Sequence, residues 1–81
     1  MTAFGGTAAV GQAIGMGVGP AAAIARTATI TLAEVNTAGI TLPVARWWVI
    51  FYETAVTNGT GGAAAPARVL LWKRIVEILG G

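Results

Sequence analysis

With 81 residues, of which 56% are hydrophobic and only 10% charged, the chain cannot cover itself with the charged surface of an ordinary soluble domain. It contains neither cysteine nor histidine, which excludes disulfides, thiolate metal sites and histidine catalysis. The net charge of +2 comes from five scattered basic and three acidic residues, a distribution that argues against direct nucleic-acid binding. We therefore expect a membrane protein, or a subunit whose surface is buried in an assembly.

The N-terminal region, residues 1–25, carries no charged side chain. Pro20 within it either kinks a helix or begins a new one. On a helix, residues four positions apart form one ridge, and small residues on such a ridge let a second helix approach closely. A flexible glycine-rich tail is the alternative. The small residues with this spacing are Thr7, Gly11, Gly15, Gly19 and Ala23.

Residues 27–44 carry competing signals. β-Branched residues alternate in residues 27–32, and the triplet ITL occurs at 30–32 and again at 40–42, which is compatible with a β-hairpin. In apolar surroundings an isolated hairpin leaves edge groups unpaired, whereas a helix satisfies its own backbone. We therefore predict one long, kinked helix over about residues 5–36, with Gly39 as the residue that follows its end.

A second, strongly apolar helix is predicted over about residues 43–57, with Pro43 in its first turn. It is apolar on nearly all sides, and such a helix must be covered by lipid or protein. A glycine turn follows at residues 58–62, and a last helix is predicted over about residues 65–79. The large aromatic side chains of these two helices are expected to contact lipid or neighbouring subunits: Trp47, Trp48, Phe51, Tyr52 and Trp72.

Four charged residues in the predicted helices need partners in an apolar environment. Arg26 and Glu34 lie in otherwise uncharged sequence, and we predict that Glu34 pairs with Arg26 or with a neighbouring subunit. Arg46 and Glu53 are seven residues apart, which places them on one line of a helix. They either form ion pairs, within the helix or between subunits, or line a lumen. Too few titratable groups lie together for general acid–base catalysis, so we expect neither an enzyme nor a cofactor other than bound lipid.

One part of the sequence resembles the proteolipid c-subunit of rotary ATP synthases. The residues that carry the resemblance are IGMGVG at 14–19, IAR at 24–26 and LAE at 32–34. In that family a glycine-ridged helix packs against a second helix bearing the ion-binding carboxylate, and the resemblance gives that role to Glu34. The family's polar loop between the helices is missing here. The resemblance makes an ion-translocating ring subunit one alternative for the function of the chain.

The layout as a whole resembles the pilins of conjugative pili, which belong to type IV secretion-related systems. The shared features are a short Ala- and Gly-rich chain and two apolar helical arms around a glycine turn. The resemblance implies a single all-α, hairpin-like domain over residues 1–81 that rests in the membrane. Secretion-type machinery then assembles copies of it into an extracellular, cell-surface helical filament for DNA transfer, with lipid retained among the subunits. A small viral coat protein is the rival hypothesis, and a membrane-active, pore-forming peptide is a third.

Overall fold

The computed structural model describes residues 14–17 and 19–81, and every regular element in these residues is an α-helix. The fold class predicted from the sequence, all-α, is therefore confirmed. The hairpin considered for residues 27–44 is not formed. The four helices are α1 (Gly19–Thr29), α2 (Leu32–Thr37), α3 (Leu42–Asn58) and α4 (Ala64–Ile78).

Helix α4 is the centre of the fold. It packs along α3 and along α1, and it also contacts α2. Between α3 and α4 the indole rings of Trp48 and Trp72 stack, with 5.7 Å between their centroids and 20° between their planes. Five residues of α4 are buried, more than in any other described helix: Ala65, Ala67, Leu71, Trp72 and Ile75. The hydrophobic core is therefore built within one chain, around the last of the four helices.

The long helix that the sequence predicted up to Asn36 is interrupted at Thr31, which separates α1 from α2. Thr31 has an extended backbone (φ −121°, ψ 160°) and begins α2 as its N-cap. Its hydroxyl accepts a hydrogen bond from the Glu34 N–H, and the Glu34 carboxylate accepts one from the Thr31 N–H. This reciprocal capping box stabilises a new helix start and so ends α1 at Thr29. Pro20 lies in the first turn of α1 rather than at a kink, and residues 5–13 of the predicted helix lie outside the described residues.

Helices α2, α3 and α4 end in the same way. Each is followed by a glycine with a left-handed backbone: Gly39, Gly59 and Gly80, at φ of 74°, 68° and 89°. The glycine N–H donates to the carbonyl three residues earlier, and the next N–H donates to the carbonyl five residues before it, over 2.9–3.2 Å. This Schellman arrangement pairs carbonyls that the end of a helix leaves free. The predicted stop at Gly39 is confirmed, and the predicted glycine turn connects α3 to α4.

The longest described helix, α3, has 17 residues. In the part of the chain that the structure describes, none of the helices combines the length and the apolar character that crossing a membrane requires.

Candidate interaction site on α3

Helix α3 is apolar on two opposite sides. One side faces α4 and buries Ala45, Trp48 and Tyr52. The opposite side carries Ile50 and Phe51, whose exposed fractions are 62% and 40%. Helix α4 covers only one side of α3, and Ile50 and Phe51 remain exposed on the other side.

We call this side the α3 outer face and define it by the half-buried Trp47 and the exposed Ile50, Phe51 and Thr54. The Trp47 and Phe51 rings stack, with 5.4 Å between their centroids and 19° between their planes. The four residues line a shallow depression of about 310 Å³, together with residues at the end of α3 and in the following turn. Their i, i+3, i+4, i+7 spacing is that of a helix stripe that packs against another helix.

A larger groove of about 570 Å³ borders the outer face on the side of α4. Val49 and Ile50 of α3 and Val76 of α4 supply its apolar lining. Its charged lining consists of Arg46, Lys73 and Glu77. The groove therefore joins the apolar stripe of α3 to a charged margin.

The predicted line of Arg46 and Glu53 exists, but the two residues do not pair within α3. Two helical turns separate them by about 10 Å along the helix axis, too far for an ion pair. Instead, the Glu53 carboxylate lies 3.4 Å from the Lys73 ammonium of α4, and both side chains are about half exposed. Within the described residues Arg46 forms no ion pair. The sequence thus predicted the common line correctly but not the partner of Glu53.

The predicted pairing of Arg26 with Glu34 is confirmed. The Arg26 guanidinium donates to the Glu34 carboxylate over 2.6 Å, to the Ile14 carbonyl over 3.1 Å and to the Thr29 hydroxyl over 2.8 Å. The hydrogen bond from Arg26 holds the pKa of Glu34 below its ordinary value of 4.5. Because the second carboxylate oxygen accepts bonds from Thr31, Glu34 contributes to the junction between α1 and α2.

The predicted roles of three aromatic residues need correction. Trp48, Tyr52 and Trp72 are only 1%, 4% and 0% exposed in the single chain, because α4 lies across the inner side of α3. They form the core of the subunit and are not available to lipid or to a second subunit. Among the predicted contact residues, Phe51 remains exposed on the α3 outer face, and Trp47 beside it is half-buried.

The predicted ridge of small residues also needs correction. Gly15 and Gly19 have φ of 67° and 83°, values that a right-handed helix does not contain, so they do not lie on one continuous helix. Gly11 and Thr7 lie outside the described residues. A side chain at Gly17 would have its Cβ only 2.7 Å from that of Ala22, so this loop packs closely against α1. The small residues therefore do allow close packing, but between the loop before α1 and α1 itself rather than along a helix ridge.

Arg68 has a role that the sequence analysis missed. Its guanidinium donates to the Gly17 carbonyl over 3.4 Å and lies 5.7 Å from the centre of the Tyr52 ring. It thereby links the loop before α1 to the core between α3 and α4. Burial raises the pKa of the Tyr52 hydroxyl, and the Arg68 charge partly offsets this effect. No sequence motif marks Arg68, because its partners are a backbone carbonyl and a ring from distant parts of the chain.

Polar atoms in this core lack hydrogen-bond partners. Within the described residues these are Nε1 of Trp48 and of Trp72, the Tyr52 hydroxyl and Nε of Arg68. The described residues also contain no group of three acidic side chains that could hold a metal ion. The candidate site that remains is the apolar α3 outer face, together with the charged residues of the groove that borders it.

Comparison with known proteins gives a family but no described relative. Neither a curated protein nor a solved structure matches the chain. A protein family described as a domain of unknown function, DUF4951, matches residues 3–79. Since this match covers almost the whole chain, the protein belongs to the DUF4951 family.

Proposed function

We propose that the chain is a structural subunit, without enzymatic activity, that associates with copies of itself through the α3 outer face. The observation that carries this proposal is the exposure of Ile50 and Phe51 beside Trp47, on a helix whose other side is already covered by α4. Contiguous exposed apolar surface of this kind marks interaction sites, whereas single exposed apolar residues are ordinary.

The composition supports association between copies. With 10% charged residues, the chain has few charges to keep subunits apart. Trp48, Tyr52 and Trp72 are used in the subunit's own core, so the α3 outer face is a separate, additional apolar surface. The Phe51 ring already packs against the rings of Trp47 and Trp48, so it loses little conformational freedom on association.

We propose an extracellular helical filament of the conjugative type as the form of this assembly. This part of the proposal rests on the resemblance in size, composition and layout to conjugative pilins. It implies a membrane-associated subunit before assembly, secretion-type machinery as a partner, and lipid among the assembled subunits. It does not require lipid around Trp48 or Trp72, since the chain itself covers both residues.

Sedimentation and negative-stain microscopy of the purified protein test the proposal, with two variants of α3. Ile50→Glu places a charge in the α3 outer face, and we expect it to remain monomeric while the wild type associates. Val56→Glu is the matched control, because Val56 is 44% exposed on the same helix but lies outside the outer face. We expect this control to associate as the wild type does.

Circular dichroism of both variants establishes that they are folded. A wild type that stays monomeric at every concentration contradicts the proposal, as does an Ile50→Glu variant that associates normally. Microscopy then separates the forms of assembly. Filaments agree with the proposal, whereas closed shells indicate a coat protein and rings indicate a membrane ring.

A further inference from the structure

Helix α3 ends with an asparagine that is followed by a glycine, Asn58 and Gly59, beside the α3 outer face. We propose that Asn58 is a site of spontaneous deamidation, which converts its side-chain amide to a carboxylate and thereby weakens self-association through the outer face. The modification follows from the covalent chemistry of this turn. Its effect on association rests on the proposed function.

Deamidation of this pair needs no enzyme and no co-reactant other than water. The main-chain nitrogen of Gly59 attacks Cγ of Asn58, and the new N–Cγ bond closes a succinimide ring. The bond from Cγ to the side-chain nitrogen breaks, and ammonia leaves with the proton from the Gly59 nitrogen. Water then opens the ring at either carbonyl and gives aspartate or isoaspartate. Glycine favours ring closure because it has no side chain to hinder the approach.

The structure leaves the reacting groups accessible to water. Asn58, Gly59 and Thr60 are all exposed, and within the described residues the Asn58 side chain forms no hydrogen bond. Apart from its neighbours in the chain, no atom lies within 4 Å of the position that a Cβ on Gly59 would take. The succinimide ring therefore has room to form.

The cap of α3 controls the rate of the reaction. The Gly59 N–H donates to the Val56 carbonyl over 3.1 Å, so its nitrogen attacks Asn58 only when this end of the helix opens. Helix ends are among the parts of a fold that open most readily. We therefore expect deamidation in the folded protein, at a lower rate than in the unfolded chain.

The other asparagine of the sequence, Asn36, provides an internal reference. It is also exposed and also lies near the end of a helix, α2. The residue that follows it is Thr37, which still belongs to α2 and has a β-branched side chain. This side chain crowds the main chain and hinders attack by the Thr37 nitrogen. Exposure alone therefore does not distinguish the two asparagines, whereas the residue that follows each one does.

Deamidation of Asn58 changes the outer face directly. Asn58 lines the same depression as Ile50, Phe51 and Thr54, so its conversion places a carboxylate beside the apolar stripe. This charge loses water when two copies associate, which is unfavourable without a cationic partner. It also lies at the C-terminal end of α3, where the helix dipole disfavours a negative charge. Isoaspartate additionally lengthens the main chain by one carbon and displaces the Gly59 N–H from its acceptor.

Peptide mass spectrometry of the full-length protein during storage at mildly alkaline pH tests the site. Trypsin leaves Asn36 in residues 27–46 and Asn58 in residues 47–68, and a digest at time zero corrects for reaction during cleavage. We expect loss of the Asn58 amide with formation of aspartate and isoaspartate, while Asn36 stays unchanged. A parallel sample in urea should lose the Asn58 amide faster, because the cap is open. An unchanged Asn58, or equal conversion of both asparagines, overturns the proposal.

Sedimentation equilibrium with three variants tests the effect on association. Asn58→Asp carries the charge from the start, and we expect about fivefold weaker association than for the fresh wild type. Asn58→Gln keeps an amide and should associate as the fresh wild type does, also after storage. Asn36→Asp is the control for net charge, because it adds the same charge at the end of α2, and we expect wild-type association. Circular dichroism establishes that each variant is folded.

The two measurements separate this inference from the proposal on which it rests. If the wild type associates and Asn58→Asp associates equally well, the effect on the outer face is wrong and self-association stands. If the wild type is monomeric but Asn58 is converted, self-association and its control are wrong, and the modification site stands. Conversion of Asn58 together with weaker association of Asn58→Asp, but not of Asn36→Asp, supports both parts of the inference.

Discussion

Arg26 donates a hydrogen bond to Glu34 over 2.6 Å and so joins the end of α1 to the beginning of α2. The same guanidinium also holds the Ile14 carbonyl and the Thr29 hydroxyl. One side chain therefore fixes three backbone segments around the point where the chain leaves α1. The arginine side chain is only 22% exposed, so its bonds are partly protected from water.

The substitution Glu34→Gln should lower the thermal midpoint of unfolding by a few degrees at neutral pH. It removes the charge that Arg26 contacts while the glutamine keeps similar size. The folded-state pKa of Glu34 is lowered, mainly by Arg26, so the carboxylate contributes stability above its ordinary pKa of 4.5. That contribution is lost as the pH falls through the lowered pKa. Melting curves followed by circular dichroism between neutral and acidic pH measure both effects.

The matched control is Glu77→Gln on α4, whose contact with Arg74 is 3.9 Å long and whose side chain is 67% exposed. We expect little change in its melting curves, because exposed surface pairs contribute little. Equal effects of the two substitutions, at neutral pH and on acidification, would contradict the role given to Arg26 and Glu34.

Tyr52 should titrate above the ordinary tyrosine pKa of 10.0, because burial disfavours the phenolate more than Arg68 favours it. The neutral form therefore contributes stability that is fully present below pH 10 and is lost as the pH rises through the higher folded-state pKa. Since Tyr52 is the one tyrosine in the chain, the near-ultraviolet absorbance of tyrosinate reports its titration directly.

The control for this titration is Tyr52→Phe. It removes a hydroxyl that has no hydrogen-bond partner within the described residues, so we expect little change in stability at neutral pH. The variant should also lose stability less steeply above pH 10. An ordinary tyrosine titration in the folded wild type would show that the hydroxyl is exposed to water.

Substitution of Gly39 by alanine should destabilise the protein by about 1 kcal/mol, because the residue after α2 has φ of 74° and a Cβ is unfavourable in this region. No atom lies within 4 Å of the position a Cβ would take, so the cost is conformational rather than steric. Gly39→Asn should cost less, since asparagine tolerates the left-handed region better. Urea unfolding measures the difference, and equal stability of the alanine variant and the wild type would contradict the explanation.

The fold could be predicted from the sequence where local signals were decisive. Pro43 and the glycine turn gave the bounds of α3 to within a residue or two, and Gly39 gave the end of α2. The pairing of Arg26 with Glu34 was predictable because both charges stand alone in uncharged sequence. The separation of α1 from α2 was missed, although Thr31 and Glu34 have the spacing of a capping box.

The position of α4 could not be predicted. Apolar residues surround α3, so periodicity did not indicate which side faces the core, and the sequence analysis treated the whole helix as a surface for partners. The contact between Trp48 and Trp72 depends on the orientation of two helices, which no local pattern encodes. Similarly, the four-residue spacing of Gly15 and Gly19 predicted a helix ridge, but small residues also permit the tight loop that is observed.

The order of the helices along the chain has a consequence for biosynthesis. Because α4 is the helix against which α1 and α3 pack, those two helices have no apolar partner in α4 until it has left the ribosome. The nascent chain therefore exposes Trp48 and the rest of the inner side of α3 throughout the synthesis of the residues that follow. The contacts of α1 and α3 with α4 form only after α4 has been synthesised, and until then the inner side of α3 is an apolar segment to which chaperones can bind.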